Sequence, residues 1–200
     1  MDRAEIIAAG CTQVRRQATA VAGLADQLDE TFAVLVEQIL TTRGKVVVTG
    51  SGTSGIVAER FAHLLSVCGT PAFALSAADA LHGRSGAVTR DDLVIAFSKG
   101  GRSTELTDLT ALLVGRGVHV VAVTEEPGSP FAAAAASVVT LRTEPADADL
   151  DGLVATGSTL VHAAWGDAVT AVLKHLRRFS ADDVVRGHPA GVVGTARPRP

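Results

Sequence analysis

Three short runs of β-branched and apolar residues constrain this chain most: Val46-Val47-Val48-Thr49, Leu93-Val94-Ile95-Ala96-Phe97, and residues 118–123. None alternates polar with apolar positions, so each predicts a strand buried on both faces, as in a parallel sheet covered by helices. Segments of helical period lie between them. Val57, Phe61, Leu64, Leu65 and Cys68 define one apolar face, and Leu106, Leu109, Leu112 and Leu113 define another. Gly69 and Gly117 follow as C-terminal stops. Weaker strands over 71–75 and 137–141 complete the pattern of an open, doubly wound, five-stranded parallel α/β sheet with helices on both faces.

The 200 residues suit one domain. Residues 1–43 read as an N-terminal helical segment packed on that domain, with a break near Asp29 and Thr31. Residues 44–195 hold the sheet, including a long helix from about Ser158 to Arg178 and a short one capped by Ser180-Ala181-Asp182-Asp183. Residues after Gly187 read as loop and 196–200 as a frayed tail. A net charge of −3 and the lack of a basic run argue against a nucleic-acid ligand. No apolar stretch approaches the ~20 residues that span a bilayer, and the start lacks a signal-like pattern. With only Cys11 and Cys68, neither a disulfide framework nor a Cys-rich zinc site is expected, so a reducing cytoplasm is the expected setting.

In open α/β sheets ligands bind beyond the carboxyl ends of the strands. The first strand runs through Gly50-Ser51-Gly52-Thr53-Ser54-Gly55 into a helix, the G-x-G-x-x-G spacing in its proper context. Such a loop accepts either a pyrophosphate or a simple phosphate on free N–H groups. A dinucleotide site also wants an acid at the end of the second strand, but that strand ends Ala74-Leu75-Ser76-Ala77, with Asp79 displaced. This weakens the nicotinamide reading. The third strand ends in Ser98-Lys99-Gly100-Gly101-Arg102-Ser103-Thr104-Glu105, a second Gly/Ser/Thr loop suited to a phosphate monoester, with Lys99 or Arg102 supplying charge. Thr156-Gly157-Ser158-Thr159 opens the long C-terminal helix as a third hydroxyl-rich start.

These residues resemble the sugar isomerase (SIS) domain, and within it the arabinose-5-phosphate isomerases. The resemblance rests on the two glycine loops, on Ala80-Leu81-His82-Gly83, Ala155-Thr156-Gly157-Ser158-Thr159 and Gly166-Asp167-Ala168, and on Phe179-Ser180-Ala181-Asp182-Asp183 followed by His188-Pro189-Ala190-Gly191. It implies aldose-ketose isomerisation of a phosphorylated sugar and a homo-oligomer, tetramer or dimer, whose histidines reach a shared site. Family members often carry tandem regulatory modules after the His-Pro motif, so this chain looks like the catalytic domain without them. The family usually has a lysine at Thr53 and a glutamate at Arg102. Its acidic loop residue falls on Asp147 by ungapped counting from Thr156, with Glu144, Asp149 and Asp151 leaving the register open.

Isomerisation through an enediolate needs no cofactor; a carboxylate suits the carbon proton, and a histidine suits ring opening and oxygen proton transfer. Asp147, with Glu105 as alternative, is the candidate carboxylate, and His82 and His188 are the candidate histidines. The phosphate and hydroxyl contacts fall to Gly50, Ser51, Gly52, Thr53, Ser54, Ser98, Lys99, Gly100, Arg102, Ser103, Thr104, Thr156 and Ser158. His162 and His175 lie in helical pattern and read as packing or solvent-facing, Trp165 as core, and His63 and His119 as without a role. No metal site is expected. Two rival readings stand beside the enzyme: a sugar-phosphate sensor without turnover, and a nicotinamide oxidoreductase.

Overall fold

A computed structural model describes residues 2–188 and 190–195. Two helices come first, α1 (Arg3–Ala22) and α2 (Glu30–Thr41), separated by the 3-10 turn Ala25–Gln27. Asp2 and Glu5 form a reciprocal capping box on α1, and the Asp29 carboxylate accepts from Thr31 N–H to start α2, so the predicted break falls at a cap. The alternating part follows: β1 (Val46–Gly50), α3 (Thr53–Val67), β2 (Ala72–Ser76), α4 (Ala77–Leu81), β3 (Leu93–Phe97), α5 (Thr104–Gly115), β4 (His119–Thr124), α6 (Pro130–Ala134) and β5 (Ser137–Thr140). It closes with α7 (Gly157–Leu176), α8 (Ala181–Gly187) and α9 (Gly191–Thr195). The expectation of loop beyond Gly187 is corrected there by α9; the expected tail, 196–200, lies outside the described residues, as does Pro189 of the His-Pro motif.

All strand pairs are parallel, in the order β2-β1-β3-β4-β5. The chain passes from β1 outward to β2, then returns to β3 on the other side, which puts the topological switch point between β1 and β3. Every residue of β1 and β3 is buried, in keeping with their unbroken apolar texture. Val46, Val48, Leu93, Ile95 and Phe97 face a core shared with α2, α3 and α7. Val47, Val94 and Ala96 face the opposite core under α4, α5 and α6.

Gly69 and Gly117 lie just beyond α3 and α5 with φ of 85° and 80°, the left-handed stop anticipated for them. Along α5 the buried stripe is Leu106, Leu109, Thr110 and Leu113; Leu112 is exposed, because its position turns about 100° away from Leu113. On the larger core, Phe61 packs edge-on to Phe97 at 6.1 Å and against Trp165 at 5.9 Å, and Gly166 lies under the Phe61 ring. Asp167 receives both arms of Arg60 at 2.5 and 2.9 Å, so the Gly166-Asp167 pair joins α7 to α3. Phe61→Ala removes the ring on which three elements meet. It should destabilise the protein by about 3–5 kcal/mol in urea unfolding, whereas loss of the half-exposed Arg60–Asp167 pair should cost under about 1 kcal/mol.

Candidate functional site

Every strand ends at the same edge, so the helices that follow point their N-termini, and the positive end of their dipoles, toward it. Among the five helices of twelve or more residues, α1 and α2 are closed by Asp2 and Asp29. The start of α7 is also filled by the chain itself: the Asp149 carboxylate accepts from Ser158 N–H at 2.8 Å and from its hydroxyl at 2.9 Å. The other two, α3 and α5, follow Gly52 and Ser103 with no side-chain cap among the described residues. They flank the switch point. Their first N–H groups are therefore the ones left for an external anion.

The glycines of the first loop make that opening possible. A Cβ on Gly50 would lie 2.6 Å from the Ser54 carbonyl oxygen, so the strand end and the first turn of α3 pack backbone to backbone. Gly52 turns the chain with φ 58°. Beside this loop opens a cavity of about 500 Å³, lined by Gly50, Ser51 and Gly52, by Ser76 at the end of β2 and Asp79 of α4, and by Glu59, Arg84 and Glu105. Arg84 donates to Asp79 at 3.3 Å in its lining. Sequence reasoning missed Glu59 and Arg84. Glu59 lies one helical turn beyond Gly55 and was findable by spacing; Arg84 enters from the 3-10 turn that follows α4.

Toward β4 lies a second polar cluster. Lys99 Nζ donates to Asp149 Oδ2 at 2.5 Å, and the Asp149 side chain is fully buried. Burial raises the affinity of Asp149 for a proton, but hydrogen bonds from Lys99 and from the Ser158 N–H and hydroxyl outweigh it and hold the carboxyl below its ordinary value. Glu125, at the end of β4, accepts from the Thr143 hydroxyl at 2.5 Å and is pushed up, chiefly by burial. His162, buried on α7 against the Phe97 ring, leaves Nε2 without a partner and is pushed down from 6.5 to about 4 by desolvation, with Asp149 opposing and Lys99 assisting. Its place is in the core, as is that of Trp165, whose indole N–H is likewise unpartnered.

The expected site residues divide accordingly. Gly50, Ser51, Gly52 and Glu105 line the cavity, while Thr53, Ser54, Ser103 and Thr104 occupy the open helix starts. Gly100 and Arg102 are exposed on the second loop. Ser98 is buried, Ser158 is turned inward to Asp149, and the Thr156 hydroxyl donates to the Ala148 carbonyl at 3.0 Å. Asp147 is exposed and paired with Arg16 of α1 at 3.0 Å, away from the cavity lining. His82 is exposed at the end of α4, and His188 at the end of α8 has Nδ1 2.8 Å from the Val184 carbonyl oxygen; neither lines the cavity. Among the described residues no group of three His, Cys, Asp or Glu is placed to hold a metal, and no helix is long and apolar enough to cross a membrane.

His162 yields a signed pH effect. The unfolded chain takes up a proton near 6.5 and the folded chain only near 4, so stability is full above pH 6.5 and falls as pH drops through that interval. The contribution has a limiting slope of about 1.4 kcal/mol per pH unit. His162→Phe, which keeps an aromatic ring against Phe97, should flatten the stability profile between pH 6.5 and 4; an unchanged slope in urea titrations would assign it to other groups.

Residues 39–165 match the SIS domain family. Arabinose 5-phosphate isomerase KdsD of Pseudomonas aeruginosa is 35% identical over 175 residues, covering 88% of this chain and 53% of that protein; the chain thus spans about half the length of such relatives. A Listeria monocytogenes protein assigned provisionally as a sugar-phosphate isomerase superposes with a TM-score of 0.90 at 30% identity, over 95% of this chain and 100% of that one. The E. coli CFT073 c3406 protein, in complex with arabinose 5-phosphate, gives the same TM-score and identity over 94% of this chain and all of that one. The chain belongs to the SIS domain family.

Proposed function

We propose that this chain isomerises a phosphorylated sugar between its aldose and ketose forms. The observation that carries the reading is the pair of open helix N-termini, α3 and α5, on either side of the switch point, with the Glu105 carboxylate on the adjoining cavity wall. Two dipole ends and a set of backbone N–H groups suit a phosphate dianion, and the hydroxyls of Thr53, Ser54, Ser103 and Thr104 suit its remaining oxygens. The similarity to arabinose 5-phosphate isomerases supports a sugar phosphate of that class.

In the proposed reaction a carboxylate removes the proton from C2 of the open-chain aldose, giving an enediolate, and returns it to C1. The oxygen-bound proton moves from O2 toward O1 through a second group. Of the two carboxylates expected for this step, Glu105 lines the cavity, whereas Asp147 is engaged with Arg16. The histidines stand outside the cavity of their own chain, which supports an assembly of two or four copies in which His82 or His188 serves a neighbour's cavity. An exposed Ile7, 66% accessible on α1, and Leu153, 86% accessible at a loop tip, supply apolar surface for such contacts. The free thiols of Cys11 and Cys68 support a cytoplasmic setting. That same distance of the histidines favours a second reading, a sensor that binds the phosphorylated sugar without turnover.

Calorimetry should show sugar phosphates binding and the same sugars without phosphate binding barely at all. Ser103→Ala should weaken binding by about 1–3 kcal/mol through loss of a charged hydrogen bond. Equal affinity for a sugar and its phosphate would remove the phosphate site.

Turnover is read in heavy water as deuterium entering the carbon next to the carbonyl. Glu105→Gln and His188→Ala should each bind substrate and lose about 10²- to 10⁴-fold in exchange rate. Mixed and reassembled, the two variants should recover part of the activity, since a shared site would then contain one intact copy of each group. Absence of exchange with every sugar phosphate that the wild-type protein binds would leave the sensor reading.

A further inference from the structure

Lys99 stands at a junction. Its carbonyl accepts from Glu125 N–H and from the Thr124 hydroxyl, both at 3.0 Å, which pins its backbone to the end of β4. Two residues on, Gly101 turns with φ 60° and lies so close to Ser129, the cap of α6, that a Cβ would collide with the serine hydroxyl. The Lys99 ammonium meets the buried carboxylate of Asp149, which at the same time fills the N-terminus of α7. One residue before Asp149, the Ala148 carbonyl accepts from Gln13 Nε2 of α1 at 2.8 Å. Lys99 thus ties the loop in front of α5 to the loop of residues 144–156 and, through it, to α1 and α7.

This arrangement leaves little of the lysine's charge for a ligand. A cation at 2.5 Å from a fully buried carboxylate is neutralised locally, and drawing it away would leave Asp149 buried with only the uncharged donors of Ser158. Arg102, three residues further along the same loop, is exposed and forms no ion pair among the described residues. We propose that Lys99 is a positioning residue that holds the loop of residues 98–103 and the open start of α5 in their ligand-ready form through Asp149, and that Arg102 is the cation this loop offers to an anionic ligand. The binding half of the inference rests on the sugar-phosphate reading; the positioning half does not.

The two possible jobs for Lys99 give opposite signs in one variant. If Lys99 met the phosphate itself, Asp149→Asn would release it, and affinity for sugar phosphate would stay constant or rise. If it positions the loop, Asp149→Asn and Lys99→Met should each weaken affinity about tenfold, which is about 1.4 kcal/mol. The double variant should be no worse than either single one, because both cut the same link. Lys99→Arg, which can restore the pair, should recover most of the loss, and it keeps the test open should Lys99→Met fail to fold. Arg102→Ala should weaken sugar-phosphate binding similarly without altering the loop. An independent measurement uses no ligand: amide hydrogen exchange of residues 100–104 should quicken at least tenfold in Lys99→Met and Asp149→Asn and remain at the wild-type rate in Arg102→Ala. Should the wild-type protein bind no sugar phosphate, the functional reading fails and the exchange rates alone decide the positioning role. Unchanged exchange in Lys99→Met, or unchanged or tighter binding in Asp149→Asn, overturns the proposal.

Discussion

A parallel sheet buried on both faces can be closed only by crossovers, and that constraint governs everything else in this protein. Each strand must finish at the same edge as its neighbours, and the chain must return over one face before it can pair again. The helices therefore start together at one edge, where their unpaired N–H groups and dipoles gather. The backbone thus contributes a positive field at that edge, in a chain whose net charge is −3.

What the protein does with that edge is a matter of selective closure. Free N–H groups at a helix start need partners, and a side-chain acceptor is the usual solution. Asp2, Asp29, Ser76, Ser129 and Ser180 supply it for α1, α2, α4, α6 and α8, and Asp149 does so from a distance for α7. Two long helices remain open, and both border the place where β1 and β3 part. Three hydroxyl-rich helix starts look equivalent along the sequence; in three dimensions one of them is already occupied by an internal carboxylate.

The buried polar groups show where this arrangement is costly. Lys99 and Ser158 donate to Asp149, and Thr143 donates to Glu125, so the carboxylate of Asp149 remains ionised inside the protein. Below them, His162 and Trp165 sit in the aromatic core with ring nitrogens that find no acceptor or donor, and Thr49 on β1 has an unpartnered hydroxyl. Such groups give up hydration without replacement. In His162 the cost takes the form of a suppressed charge, which links the core beneath the site to solution pH.

The fold was legible because it depends on local texture: unbroken apolar runs, helical periods and glycine stops are set by neighbours within a few residues. The two glycine loops were legible for the same reason, since a strand, a tight turn and a helix start are contiguous in the chain. Charged side chains were not. Asp147 and Asp149 are two residues apart in one acidic stretch, yet one faces solvent beside Arg16 and the other is sealed against Lys99, fifty residues away. Nothing in the local sequence separates them, because burial depends on which loop from elsewhere covers a residue, and Coulomb partners are chosen by distance in space. By itself the sequence determined the doubly wound parallel sheet, the edge at which the helix starts gather and the two glycine loops. Only the tertiary structure decided which helix ends stay open and which carboxylates are buried, because both depend on contacts between segments far apart in the chain.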